Sequence, residues 1–332
     1  MNKKNSLPSD KIRKRVIKIS AKTNPHYGKS PQERTVAELL QNGCIILDKT
    51  SGPTSHQIVH WVKEILEIDK AGHGGTLDPA VTGVLPIALG DATRALQVLL
   101  LSGKEYVGIM KLHKQVDSKK IESVCHSFIG EISQVPPLRS AVKRVRRKRE
   151  IYYFEILQIK DTEVLFRVGC EAGTYIRTLC VSIGKKLGCG AHLAELRRTR
   201  VGSITEESCV TLHDVKDAYI FWKKDGDESY IRNHILPMER LLDHIPKIVI
   251  RDSAVDALCH GANLAIPGIV EIDTEIKKDD LVAVMSLKGE GVALVRALFS
   301  TEQIVEKDTG LCAQLERVLM NKGTYPSIWK KS

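Results

Sequence analysis

No two cysteines in this chain stand in a CxxC pair. The eight of them, at positions 44, 125, 170, 180, 189, 209, 259 and 312, are scattered and lie mostly in apolar stretches. That excludes a zinc ribbon or a disulfide framework and predicts buried free thiols in a reducing compartment, the cytoplasm. No apolar run approaches the roughly 20 residues that span a bilayer, so no membrane partner is expected. The opening MNKKNSLPSDKIRKRVIKI carries charge but no apolar core with a cleavage site, so it does not read as a secretory leader. Nucleotide cradles are missing as well. The glycine-rich stretch at 72–77 puts Leu77 where a dinucleotide fingerprint needs its third glycine, and no Lys-Ser or Lys-Thr follows. His56 and His60 have metalloprotease spacing, but Gln57 stands where the glutamate base belongs, and a third ligand is not evident. No GxSxG occurs, which removes support for acyl transfer.

What the chain does have is positive charge in clusters. Its formal net charge over 332 residues is +10. Residues 139–149, RSAVKRVRRKR, hold seven basic side chains and no acid: Arg139, Lys143, Arg144, Arg146, Arg147, Lys148 and Arg149. A second basic segment covers 3–29, and a third is LRRTR at 196–200, with Arg197 and Arg198 at its centre. A single run of this kind is usually a solvated face; three separate runs favour a nucleic-acid partner. The 139–149 run is expected to form a mobile loop that closes on RNA.

The periodicities predict an α+β architecture with a largely antiparallel sheet. GCIILDKT (43–50) reads as a buried strand. A helix over HQIVHWVKEIL follows a Thr54 or Ser55 cap, and another is expected from Asp91. KEYVGIMKLH (104–113) reads as a strand and 117–128 as a helix. The runs IYYFEILQI and EVLFRVGCE, parted by KDT, read as a hairpin. The clearest helix is 173–188, with an apolar stripe of Ile176, Leu179, Cys180, Ile183 and Leu187 ending at Gly188. Three units are expected: a basic N-terminal extension (1–38), a mixed domain (39–245) and a small β-rich domain (246–332).

One loop invites a chemical reading. AGHGGTLDPAVTG (71–83) places three glycines in four positions and then a lone acid, Asp78, before a proline. An Asp-Pro turn is common in itself. The functional alternative is a carboxylate on a backbone that something large must approach closely. A carboxylate taken out of water is pushed towards its neutral form unless a cation sits beside it. Arg177, at the border of the apolar stripe of the 173–188 helix, is the cation considered, with a surface role as its alternative.

GHGGTLDPAVTGVLPIALGDATR, KEYV, GTYIRTL and LGCGAHLAELRRTRVG occur in the order and spacing of the bacterial tRNA pseudouridine-55 synthases and their archaeal and eukaryotic relatives. PPLRSAVKRVRRKREIYYFEIL resembles the box H/ACA, dyskerin-like branch of that family. The segment 246–322, closing in NKGTYPSIW, is similar to that branch's PUA RNA-binding domain, and the archaeal form is the nearest match. The resemblance implies that Asp78 is the catalytic aspartate, that Tyr106 stacks on the target base and that Arg177 pairs with the aspartate. It further implies that Leu196 lines the pocket and that His73 helps hold the RNA. Gly74 departs from the usual Ser or Thr, so some hydrogen bonding in the loop is expected to be lost.

The implied reaction breaks the N1–C1′ bond of a uridine, turns the base and forms C5–C1′. It needs neither metal nor organic cofactor. A flipped base stacked on an aromatic ring recovers part of the few kcal/mol that extrusion costs. Whether the carboxylate attacks the sugar or abstracts a proton stays open. The resemblance implies a catalytic subunit acting on rRNA and tRNA with a box H/ACA guide RNA. It also implies small ribonucleoprotein partners, including a ribosomal-type protein bound to the guide's kink-turn. A guide-free tRNA enzyme and a catalytically silent RNA scaffold are the alternatives.

Overall fold

The computed structural model describes residues 6–135 and 145–327. Two sheets organise it. The strands in chain order are β1 (Arg15–Ile17), β2 (Gly43–Lys49), β3 (Ala71–His73), β4 (Thr82–Leu89), β5 (Lys104–Leu112) and β6 (Gly130–Gln134). They continue with β7 (Arg147–Lys160), β8 (Glu163–Cys170), β9 (Ala191–Val201), β10 (Ile204–Thr205), β11 (Leu236–Pro237) and β12 (Lys247–Ile250). The last are β13 (Leu264–Ala265), β14 (Ile269–Asp273), β15 (Leu281–Ser286), β16 (Gly291–Ala297) and β17 (Leu311–Val318). The larger sheet runs β11-β2-β4-β9-β5-β8-β7-β6, with β10 on β9 and β3 on β4; the smaller runs β1-β14-β12-β15-β16-β17-β13. Apart from the parallel pairs β4–β9 and β12–β15, the ladders are antiparallel.

Helix α1 (Val36–Asn42) precedes β2, and α2 (Ser55–Leu66) begins where Thr54 accepts a hydrogen bond from the backbone N–H of Gln57. The helix expected from Asp91 is instead a 3-10 segment, Gly90–Ala95, followed by one α-helical turn, α3 (Gln97–Leu100). The reason is local. Thr93 Oγ1 donates to the carbonyl of Gly90 at 2.8 Å and Arg94 pairs with Asp91, three residues back, so the i→i+3 spacing of the tighter helix is reinforced. After α4 (Ser118–His126) and the β7–β8 hairpin comes α5 (Ile176–Leu187). Its stripe is buried, and Gly188 takes the left-handed conformation at its end, φ 78°.

Two features bind the chain's ends together. Strand β1 pairs with β14, with Arg15 opposite Asp273. Beyond it, the ammonium of Lys288 donates to the carbonyls of Pro25, Tyr27 and Gly28, and the buried Glu290 accepts from the Lys29 N–H, the Ser286 hydroxyl and the Tyr325 hydroxyl. The sheets also share a core. One apolar cluster joins Cys44, Ile46, Val84, Val201 and Leu242 to Val249, Ala283, Met285, Leu294 and Leu319. The shift in composition near residue 245 is thus crossed by continuous packing.

The basic run corrects one expectation. Arg147, Lys148 and Arg149 are not loop residues: they open β7 and pair with Gln134, Ser133 and Ile132 of β6. Arg139, Lys143 and Arg144 lie outside the described residues.

Candidate active site

Asp78 sits on a loop whose main chain is tied down on both sides. Before it, β3 pairs with β4 and Gly74 N–H donates to the Pro86 carbonyl at 2.9 Å. The fully buried Ser55 hydroxyl bridges both polar groups of Leu77, donating to its carbonyl at 3.1 Å and accepting from its N–H at 2.9 Å. After Asp78 the chain turns, Val81 N–H to Asp78 carbonyl at 3.0 Å. The fully buried ammonium of Lys49 then donates to the carbonyls of Thr50, Pro79 and Val81 at 2.9–3.0 Å. Burial pulls the Lys49 ammonium below its ordinary pKa, and the negative charge of Asp78 opposes that shift.

Gly74 has its own reason. A Cβ there would stand 2.5 Å from Leu99 Cδ1, so the glycine lets the loop close on the wholly buried Leu99. The lost Ser or Thr hydroxyl is thereby matched by tight apolar packing.

The carboxylate projects to where α5 begins. The Arg177 guanidinium donates from Nη2 to Asp78 Oδ2 at 2.6 Å, with both side chains more than half exposed (54% and 59%). Asp78 is therefore not a buried acid but one at the floor of an open surface. Gln134 on β6 positions α5: its amide accepts from Tyr175 N–H at 3.0 Å and donates to the Tyr175 carbonyl at 3.2 Å.

Tyr106 and Leu196 lie alongside on the same sheet face, where β5 pairs Tyr106 with Arg198 and Gly108 with Leu196. Both side chains are partly buried between the two apolar clusters of this domain. Gly108 leaves room for Leu196, whose Cδ1 would come within 2.9 Å of a Cβ there. Burial raises the Tyr106 phenol above its ordinary pKa, partly countered by the Arg198 charge. His73 lies at the loop's entrance, edge-on to His56 with ring centroids 5.1 Å apart. Burial, then the charges of His56 and Arg198, lowers its pKa.

The basic residues divide. Arg198 is not a surface contact: it is 1% exposed, and its guanidinium donates to the carbonyls of Val84, Gly75 and Thr76 beneath the loop. Alternation along β9 turns adjacent arginines to opposite faces, so Arg197 points away and forms a two-pronged pair with Asp48 at 2.9 Å and a further bond to Glu206 at 2.7 Å. Arg149 is tucked under the turn at Gly173, its side chain 20% exposed and near Glu171. Arg146, Arg147 and Lys148 are exposed, with Lys148 paired to Glu131 at 2.9 Å.

Sequence reasoning missed Lys49, Ser55 and Lys104. The Lys104 ammonium, on the face of β5 that carries Tyr106, caps the carbonyls of Leu99, Leu100 and Ser102, and burial lowers it to about 8. A lysine closing an apolar strand, as in CIILDK, was the one available signal.

Four family models cover this architecture in succession. Residues 63–176 match the N-terminal domain of the TruB family pseudouridylate synthases, and 177–243 match the tRNA pseudouridylate synthase B C-terminal domain. Residues 246–319 match the PUA domain and 4–59 the DKCLD domain. A Methanosarcina barkeri protein named "Probable tRNA pseudouridine synthase B" is 55% identical over 331 residues, covering 100% of this chain and 98% of the relative. The chain belongs to the TruB family of RNA pseudouridine synthases. A Methanopyrus kandleri member of the same name is 56% identical over 99% of this chain and 97% of its own length. Among solved structures, one described as a Cbf5-Nop10-Gar1 complex matches with a TM-score of 0.94 at 53% identity, covering 97% of this chain and 99% of that one. Another, an H/ACA RNP bound to a substrate RNA containing 2′-deoxyuridine, matches at 0.92 with 50% identity, over 98% and 100%. Among the described residues no helix is long and apolar enough to cross a membrane.

Proposed function

We propose that this chain isomerises chosen uridines to pseudouridine in rRNA and tRNA as the catalytic subunit of a guide-directed box H/ACA ribonucleoprotein, and that Asp78 is its catalytic residue. The observation that carries the reading is the 2.6 Å pair of Asp78 and Arg177, on a main chain held by Ser55, Lys49 and Arg198, beside an aromatic ring. A flipped uridine stacked on Tyr106 and bounded by Leu196 would present its sugar to the carboxylate. Asp78 then either attacks C1′ or takes a proton from the ribose, while Arg177 orients it; the N1–C1′ bond breaks, the base turns, C5–C1′ forms, and the C5 proton is lost as N1 gains one. His73 and the exposed basic residues Arg146, Arg147 and Lys148 contact the RNA backbone.

The guided reading is supported by near-complete matches to a chain solved in a Cbf5-Nop10-Gar1 complex and to one solved in an H/ACA RNP bound to a substrate RNA. The partners are then a guide RNA held through the PUA domain and small proteins of that class, including the one on the guide's kink-turn. Eight free thiols support the cytoplasm as its place. A second reading, direct modification of tRNA without a guide, is favoured by the name its curated relatives share. The deciding measurement is pseudouridine formation on unmodified tRNA and on an rRNA fragment, with and without guide and partner proteins. Product on the rRNA fragment only with guide present supports the first reading; product on tRNA from the chain alone supports the second; none under any condition overturns both.

A further inference from the structure

Arg198 is a buried guanidinium without a carboxylate. Among the described residues it makes no ion pair; it donates to three main-chain carbonyls, Val84 at 2.8 Å from Nε, Gly75 at 3.1 Å from Nη2 and Thr76 at 3.5 Å from Nη1, with the Tyr106 hydroxyl as its side-chain neighbour. Burying an unpaired charge is unfavourable, and burial does pull this guanidinium below its ordinary pKa. A lone buried arginine on a strand therefore calls for a reason beyond packing.

The geometry around it supplies one. Two of the three carbonyls belong to the two residues before Leu77, whose own polar groups are taken by Ser55, and Asp78 comes next. The third, Val84, lies on β4 just past the loop, next to Gly83. Gly83 has φ 100°, and a Cβ there would meet the Arg198 carbonyl at 2.2 Å. One side chain thus ties both stems of the catalytic loop to β9. On its other flank Arg198 is the register partner of Tyr106 across the β5–β9 ladder, and the two side chains are close enough that each alters the other's titration. A β-bulge places it there. Between Glu105 and Tyr106 the register slips by one residue, Thr199 is left over, and its hydroxyl bonds Glu105 at 2.7 Å. Bulges of this kind re-aim side chains beside functional sites. Arg198 reaches its three carbonyls from three different nitrogens of one planar fork, so acceptors on two separate segments are held in a fixed relative geometry; an ammonium acts from a single point.

We propose that Arg198 is a positioning residue for the isomerisation, fixing the Asp78 loop and the Tyr106 ring relative to each other so that base and carboxylate meet in register. The inference rests on the function proposed above.

The test uses the full chain assembled with guide RNA and partner proteins, measured in single turnover with all substrate bound. R198K is expected to lower the rate by about 10²-fold, as a displacement of about 1 Å at a reacting centre does, while RNA affinity stays within about threefold. Y106F, which keeps the ring and removes the hydroxyl that faces Arg198, should lower the rate less. The double variant should be no slower than R198K alone, because the two act as one unit. R198K at full rate, or a double variant showing the product of the two single effects, overturns the proposal. If R198K does not fold, Y106F decides: a full rate there overturns it. Wild type making no pseudouridine would instead overturn the proposed function.

Discussion

Replacing Asp78 by Asn separates a turn residue from a catalytic one, because the structure assigns very different sizes to the two losses. The Asp78–Arg177 contact is short, but both partners are more than half exposed. An exposed ion pair contributes about 0–1 kcal/mol. None of the bonds that hold the loop uses the Asp78 carboxylate: Ser55, Lys49 and Arg198 all act on main-chain groups. The asparagine amide still offers an oxygen to Arg177 and tolerates the same backbone. Loss of stability should then stay below about 1 kcal/mol, a fall in Tm of no more than about 2–4 °C. The amide can neither attack the sugar nor accept a proton, so single-turnover pseudouridine formation should drop by at least about 10³-fold. The assay is quantified pseudouridine at saturating enzyme, with melting and RNA binding measured in parallel. Product at a tenth of the wild-type rate, with the protein folded and the RNA bound, would refute the role given to Asp78.

Gly74→Ser should destabilise the chain by about 1–3 kcal/mol by overpacking against Leu99, and Leu99→Val in the same chain should restore part of that in a denaturant titration. His244 is buried where the two sheets meet. Its Nε2 bonds Val98 O and Ser102 Oγ while Nδ1 has no partner among the described residues, and burial lowers its pKa to about 4. As pH falls the unfolded chain takes up this proton first, so stability should decline from about pH 6.5 to pH 4 by up to about 3 kcal/mol; in His244→Gln the decline should be smaller by that amount. Converting Arg146, Arg147 and Lys148 together to Ala should weaken RNA binding and flatten its log–log salt dependence by up to about 0.9 for each duplex phosphate no longer neutralised. An unchanged slope would mean these side chains do not touch phosphate.

The elements with strong period were legible in the sequence. The strand at 43–49, the helices at 55–66 and 176–187 and the hairpin over 151–170 follow from apolar spacing and caps. The strand 191–201 was not, although it lies between β4 and β5 at the centre of the larger sheet. AHLAELRRTRV mixes charge with apolar residues, and two bulges in its pairing with β5 break the alternation that would announce a strand. For the same reason Arg198 looked like a member of a basic surface patch. Neighbouring arginines on a strand face opposite ways, but only the pairing says which one enters the core. Arg147 to Arg149 read as a loop because their charge outweighed their place in a strand that pairs with β6. Of the proposed site, the family motifs carried Asp78, Arg177, Tyr106, Leu196 and His73. The clamp of Lys49 and Ser55 left no mark beyond a lysine closing the apolar run CIILDK, since a hydrogen bond to main-chain groups asks nothing of the side chains of the residues that share it.

The pairing of β1 with β14 sets an order of events during synthesis. Arg15 cannot meet Asp273 until the ribosome has added 258 more residues, which takes about 13–50 s at 5–20 residues per second. Through that interval the basic N-terminal segment has no sheet to join, and the shared cluster lacks Ala283, Met285, Leu294 and Leu319. The nascent chain is therefore a half-finished protein with an open apolar face and a free cationic arm. It can close only when the final strand, 311–318, and the buried Tyr325 arrive. A ribosome stalled between codons 300 and 325 would hold a chain that has the whole Asp78 loop and still lacks the residues that complete its fold.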